Sequence, residues 1–433
     1  GMRQKSRAGQ AAVLSVSNGI TRALGFALRV LLSRRLGAEG TGVLELASSA
    51  HMLWIAPVTA GLPMAVATET AAGRGDEALR AGKRLALRVS LAMLPALALL
   101  SPLIAVLLGD ARTLPALWCY LPCLPVLGVS AVYNGWCYGA GDTLPPSVSE
   151  FFEQALRLAI CAALLFSFPR LRAAYGAAVP ALATLLGEAA GLALVWRMLK
   201  KRGAPLAGPA PREMQQKLWR LSAPMTWMRL SNTLTRTAGA IVIPLRLRAG
   251  GLAAQEATAR LGMLNGMAMP WVMLPGVFTG ALAVVAGPAI ARRRENPEAL
   301  RSLALRLTAA ALAISAPMAL LVSFGAPMLA GAVYRQAEVG PLLRQLAPLV
   351  PLCGVQQVLS GMLTGMEKQR NLLASSLTGS LITLVLDFFL VRNFRLTGCA
   401  LARIAGQAVT LSMNLFTLSR AMRDARQSSP SAE

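Results

Sequence analysis

The chain has 433 residues, 55% of them apolar and only 14% charged, with a mean hydropathy of +0.54 and a net charge of +24. Apolar runs of about 20 residues recur along it, each long enough as a helix to cross a hydrocarbon core of about 30 Å, which excludes a water-soluble fold. The basic residues fall in short segments between those runs, where topology signals belong, and this placement argues against a nucleic-acid patch.

The composition therefore predicts an all-α polytopic membrane protein. Twelve spans are expected, at 11–33, 43–68, 85–108, 115–138, 147–168, 175–197, 218–244, 259–288, 303–326, 341–365, 372–391 and 397–419. Gly1 ahead of Met2 reads as an appended residue. No secretory signal is expected, because the first apolar run carries arginines and lacks a small-x-small cleavage pattern. With the N-terminus inside, 21 basic residues fall on inner segments, including the Arg292–Arg294 run, and 10 on outer ones, including Arg170 and Arg172. That bias predicts a cell-membrane protein with both termini in the cytoplasm.

The first span, within SNGITRALGFALRVLLSRRLGAEGTG from Ser17, is apolar except for one polar stripe. Arg22 and Arg29 are seven residues apart, close to two helical turns, and Asn18 extends the same face by one turn. An arginine near mid-bilayer costs about 2.5 to 3.5 kcal/mol, so a pair of them calls for a wet or protein-lined interior. Arg29, near the helix end, can instead snorkel to a headgroup. Arg22 lies about ten residues from either end of the run, too deep for that route.

In span 5, SEFFEQALRLA sets Glu153 and Arg157 at i and i+4, the spacing of an intrahelical ion pair. Glu188 in span 6 and Asp387 in span 11 are acids inside apolar runs. Together with Glu153 and Arg157 they are candidates for ion coupling or for pairing within a cavity, Asp387 with Arg403 for example. His51, the only histidine, reads as packed or interfacial, and the six cysteines match no metal or disulfide spacing.

The linker KKRGAPLAGPAPREMQQK from Lys200 falls at mid-chain and reads as a connector between an N-lobe, 1–217, and a C-lobe, 218–433. The two halves repeat each other. LPCLPVLGVSAVYNGWCYG from Leu121 aligns with APLVPLCGVQQVLSGMLTG from Ala347 at an offset of 226, pairing Pro122 with Pro348, Pro125 with Pro351, Gly128 with Gly354, Gly135 with Gly361 and Gly139 with Gly365. SNGITRALG at Ser17 echoes SNTLTRTAG at Ser231, which sets Arg236 opposite Arg22. Two six-span units of one orientation should be related by a pseudo-twofold along the membrane normal and enclose a cavity. Paired prolines (57 and 63, 122 and 125, 270 and 275, 348 and 351) mark expected bends, static or hinged.

Span 7 carries Arg229 and Arg236, again seven apart, with Asn232 between them. A cavity walled by Arg22, Arg29, Arg229 and Arg236, with Asn18 and Asn232, suits a phosphate or pyrophosphate, whose oxygens the guanidinium fork binds in pairs. No catalytic constellation, Walker motif or metal set is present in the sequence, so neither an enzyme nor a resident cofactor is expected; coupling to H+ or Na+ is the remaining expectation.

The phrases TRALGFALRVLLSRRLGAEGTGVLELASS, AGLPMAVATETAA, GDTLPPSVSEFFEQALRLA and APMTWMRLSNTLTRTAG resemble the stage V sporulation protein B and polysaccharide-exporter branch of the multidrug/oligosaccharidyl-lipid/polysaccharide (MOP) flippase superfamily. The most specific are R-x-L-G-A-E-G-x-G at Arg35 to Gly42 and P-x-x-x-E-x-x-E-Q-x-x-R-L at Pro146 to Leu158. The resemblance implies export of an undecaprenyl-pyrophosphate saccharide, or a similar polyprenyl lipid, by alternating access. TRALGF is also similar to a first-span phrase of the lipid II flippase whose arginine matches Arg22; the next arginine of that phrase falls on Leu28, beside Arg29. Two alternatives remain: a cation-coupled multidrug antiporter, which should carry acids in spans 1 and 7, and a non-transporting membrane scaffold for envelope-building enzymes.

Overall fold

The computed structural model describes the backbone of residues 2–428 other than 172, 294 and 295, and the side chains of 19–424 other than those three and 284, 288 and 297. Of the residues singled out above, the side chain of Asn18 and the whole of Arg172 and Arg294 lie outside these. The described residues form helices, turns and loops, with no strand among them. By contacts the chain divides into two compact units, 1–241 and 242–433.

In the first unit α1 (Met2–Thr59), α2 (Leu62–Glu69), α3 (Gly75–Leu107), α4 (Leu114–Tyr120), α5 (Cys123–Gly139), α6 (Leu144–Ser167) and α7 (Ala173–Lys201) are followed by α8 (Arg212–Ala249), inside which the division falls. The second unit holds α9 (Ala254–Leu261), α10 (Met269–Met273), α11 (Gly276–Ala291), α12 (Pro297–Met328), α13 (Val339–Leu346), α14 (Leu349–Gly365) and α15 (Gln369–Ser428).

Among the described residues, length and composition mark four stretches as able to cross a membrane, or seven if each bent pair counts as one. One of the four, Gly19–Leu107, has 89 residues. At 1.5 Å per residue that is about 130 Å of helix, several bilayer cores long, so it holds several crossings and twelve spans remain compatible with the fold. Large apolar side chains face outward, among them Leu99 at 83% and Phe324 at 80% exposure. In water such a surface would aggregate; against acyl chains it is the expected one.

The joints are set by backbone chemistry. Within α1 the helix breaks at Gly37, whose φ of 68° and ψ of −176° are open to glycine and costly for any other residue. Thr41 Oγ1 donates to the Gly37 carbonyl at 2.6 Å across this joint. Another break, within α15, falls on Arg395, at φ 51° and ψ −132°, with no glycine to relieve it. Each proline pair marks a helix break: α1 gives way to α2 before Pro63, α4 and α5 meet at 44°, the α9–α10 run and α11 at 52°, and α13 and α14 at 46°.

The repeated glycines do the same work in each unit. A Cβ on Gly135 would overlap the Pro63 carbonyl oxygen and lie 2.8 Å from Pro63 Cα; one on Gly361 would overlap the Ala283 carbonyl oxygen and lie 2.9 Å from Ala283 Cα. Gly139 meets Ala67 and Gly365 meets Gly287 in the same way. So α5 on α2, and α14 on α11, approach backbone to backbone, the small-residue packing that membrane helices use where apolar burial gives no net drive.

The mid-chain connector is strapped down. Helix α7 continues to Lys201 and α8 begins at Arg212, and between them Arg80 Nε donates to Pro209 O and Lys83 Nζ to Leu206 O, each at 3.0 Å. Beside this strap the buried Glu69 carboxylate takes Arg74 at 2.7 Å and Lys217 at 2.8 Å. Between α3 and α4, Arg112 pairs with Asp110 and Glu39, and the Asp110 hydrogen bond leads in holding its guanidinium charged.

Candidate functional site

The first unit has a polar centre where α6 and α7 cross. Gly187 and Gly191 let α7 close on α6: a Cβ on Gly187 would come within 3.0 Å of Arg157 Cγ, and one on Gly191 within 2.9 Å of Ser149 Oγ. Around that crossing Arg157 Nη2 lies 2.9 Å from Glu153 Oε1 and 2.7 Å from Glu188 Oε1. The i,i+4 spacing had indicated the first partner; the second comes from the neighbouring helix, 31 residues on. One guanidinium thus serves two carboxylates, and the cluster is net −1 when both are ionised. A proton on either acid makes it neutral.

His51 is buried at 3% exposure and stacks on Tyr120, ring centroids 4.1 Å apart, while the Tyr120 hydroxyl and Ser48 Oγ share a 3.2 Å hydrogen bond. Of the packed and interfacial placements expected for it, the histidine takes the packed one. Arg157 lies within electrostatic range of both rings.

The arginines of the polar stripes take other positions. Arg22 and Arg29 are exposed on α1. Arg22 acts electrostatically on Glu150 of α6, and Arg29 Nη1 stands 3.8 Å from Glu45 Oε1 on the far side of the Gly37 joint. Glu45 was not singled out in the sequence; its position 16 residues after Arg29, beyond a glycine break, gives no periodic signal. Arg229 and Arg236 are exposed on α8, and Asn232 between them is half-buried. This part of α8 belongs to the first unit: Thr237 Oγ1 donates to Ser49 O at 3.0 Å, and Ser222 packs on Gly61. All four arginines are therefore carried by one compact unit. Asn18 adds nothing here, its side chain being outside the described residues.

In the second unit Asp387 is buried at 2% exposure on α15. Arg403 acts on it electrostatically but forms no ion pair with it among the described residues; its Nη2 donates instead to Asn265 Oδ1 at 2.7 Å. Asn265 lies in the wide π-helical turn Gly262–Ala268, and the sequence held no sign of this partner. Among the described residues no three His, Cys, Asp or Glu side chains converge as a metal set would.

The family described as polysaccharide biosynthesis protein matches residues 9–294, and the MatE family matches 245–389. The chain is 26% identical over 430 residues to stage V sporulation protein B of Bacillus subtilis (strain 168), covering 95% of this chain and 83% of that one. An inward-facing multidrug resistance MATE family transporter of the MOP superfamily superposes with a TM-score of 0.79 at 17% identity, covering 96% of this chain and 99% of that chain. The lipid II flippase MurJ in an inward closed conformation superposes with a TM-score of 0.77 at 14% identity, covering 96% and 90%. The chain thus belongs to the polysaccharide biosynthesis protein family and shares its fold with these two solved structures.

Proposed function

We propose that this protein is a flippase that carries a lipid-linked oligosaccharide or peptidoglycan precursor across the cell membrane by alternating access, gripping the lipid's pyrophosphate with Arg22, Arg29, Arg229 and Arg236. The observation that carries the reading is that Arg22 and Arg29 on α1 and Arg229 and Arg236 on α8 are all exposed and all carried by a single unit. Each such group costs about 2.5 to 3.5 kcal/mol in hydrocarbon, a cost that water or a polyanion removes. Asn18 and Asn232, on the same stripes, supply amides to the sugar or phosphate. An undecaprenyl-pyrophosphate saccharide has the two linked phosphates that four forked cations fit. The basic bias of one set of linkers supports cytoplasmic termini.

The Glu153, Arg157 and Glu188 cluster is the coupling site in this reading. Protonation of one acid releases Arg157 from half of its partners, and such a two-state contact can bias helices α6 and α7 between arrangements. Asp387, with Arg403 and Asn265 nearby, is the second candidate for a coupling H+ or Na+.

The test is translocation. Membrane vesicles carrying Arg22→Ala with Arg236→Ala are loaded with labelled undecaprenyl-pyrophosphate saccharide, and its appearance on the opposite leaflet is followed. Loss of two charge-assisted contacts at about 1.5 to 3 kcal/mol each predicts at least a hundredfold lower rate at limiting substrate. Undiminished translocation in the double variant rejects the grip.

A further inference from the structure

Helix α3 carries Asp76 and Glu77 in its first turn, then Arg80, Lys83, Arg84 and Arg88, and no charged residue from Val89 to Leu107, so Arg88 marks its passage from water to hydrocarbon. Helix α8 makes the same passage at Trp219 and Arg220, with no further charge until Arg229. Where the two helices meet at this boundary lies a cleft of about 440 Å³, walled by Arg88, Arg212, Arg220, Gln215, Trp219 and Leu85 among others.

The cleft is built rather than incidental. Gln215 is buried at 7% exposure; its Nε2 donates to Ala210 O at 3.0 Å, and its Oε1 accepts from Arg88 Nη1 at 2.8 Å. A fixed amide therefore holds the Arg88 guanidinium in the wall of the cleft. Among the described residues none of the three arginines is in an ion pair, and no acid lines the wall. The nearby cations are treated differently: Arg74 and Lys217 share the buried carboxylate of Glu69. Three positive charges gathered without a carboxylate repel one another unless an anion enters.

We propose that this cleft binds the phosphodiester headgroup of an anionic phospholipid from the leaflet on the connector's side. The guanidinium forks take the phosphate oxygens, and the exposed Trp219 indole, 53% accessible, sits at the headgroup level where amphipathic rings concentrate. Leu85 and the apolar run of α3 beyond Arg88 lie along the acyl chains. A free phosphate would use the arginines and leave this apolar wall idle. Bound there, the lipid ties α3 to the first turns of α8 beside the strapped connector.

The full-length protein, purified in detergent, is titrated with phosphatidylglycerol or phosphatidylcholine, and retained lipid is counted by native mass spectrometry. Replacing Arg88, Arg212 and Arg220 together by Gln should weaken phosphatidylglycerol retention by about tenfold or more and leave phosphatidylcholine unchanged. A charge-matched variant, Arg84→Gln with Lys200→Gln and Lys201→Gln, removes exposed cations outside the cleft and should behave as wild type. Should the triple cleft variant fail to fold, Arg220→Gln alone, with quenching of Trp219 by bromine-labelled phosphatidylglycerol, reads the same site. Equal losses in cleft and control variants, no loss in either, equal retention of the two lipids, or displacement of phosphatidylglycerol by millimolar inorganic phosphate would each overturn the proposal.

Discussion

Removal of Arg157 is the sharpest perturbation of the first unit. Its Nη2 stands 2.9 Å from Glu153 and 2.7 Å from Glu188, and the three side chains are 18%, 13% and 10% exposed. In Arg157→Ala both carboxylates lose their cation inside the helix crossing. The bonded oxygens lie no more than about 5.6 Å apart, the sum of those two distances. At an effective dielectric near 20, two ionised acids at that range repel by about 3 kcal/mol, unless one takes up a proton. Breaking a buried ion pair from one side costs about 3 to 5 kcal/mol, and the same range is expected here.

A second substitution separates this account from simple loss of packing. Glu188→Gln in the Arg157→Ala background removes one of the two orphaned charges, so it should recover about 1 to 3 kcal/mol. Glu188→Gln alone keeps the Glu153 pair and an amide oxygen for Arg157, and should cost less than about 1.5 kcal/mol. Unfolding of the purified variants in graded denaturing detergent, followed by tryptophan fluorescence, measures all three. If the double variant is no more stable than Arg157→Ala, the electrostatic argument fails and the arginine matters by its volume alone.

Three further predictions follow from backbone geometry and from the Glu69 cluster. Gly37→Ala should cost about 1 to 3 kcal/mol because φ 68° with ψ −176° is a glycine conformation, whereas Arg395→Gly should stabilise by about 1 kcal/mol or more by relieving φ 51° and ψ −132°; melting temperatures of the two variants should move in opposite directions. Gly135→Ala and Gly361→Ala should each cost about 1 to 3 kcal/mol through overlap with Pro63 and Ala283, while Gly239→Ala, with nothing within 4 Å of the new Cβ, should be neutral or slightly stabilising, all read as folded yield and melting temperature. Arg74→Ala and Lys217→Ala should each be mild, since the other cation still faces Glu69, but together they leave a buried carboxylate alone and should cost more than the sum of the singles in the same unfolding measurement.

What the sequence disclosed and what it withheld divide along a physical line. Backbone contact between helices demands glycine at a fixed register, because a single methyl group there has nowhere to go. That demand writes itself into the letters, and the 226-residue echo of Gly135 in Gly361 and of Gly139 in Gly365 could be read before any coordinates. Proline breaks are legible for the same reason: Pro122 and Pro348 stand at the start of α5 and α14. Long charged side chains place no such demand on spacing. Only the i,i+4 partner of Arg157 lay within reach of periodicity, and Glu188, Glu45, Lys217 and Asn265 were found as partners only once the helices were packed.

That difference also sorts the arginines of the apolar helices, which look alike as letters. Arg157 is consumed by two acids within its own unit, so it belongs to the fold's internal bookkeeping of charge and is a poor candidate for gripping a substrate. Arg29 meets Glu45 only at 3.8 Å with its side chain 55% exposed, a screened contact that a phosphate can displace at small cost. Arg229 is exposed and forms no ion pair among the described residues. Carboxylates are stationed beside the cations that hold helices together, Arg157 and Lys217 among them, whereas Arg229 on α8 has none paired with it among the described residues. In a chain with 43 basic residues and 19 acidic ones, acids are the scarce component, and their placement separates charges that build the fold from charges available to an anion.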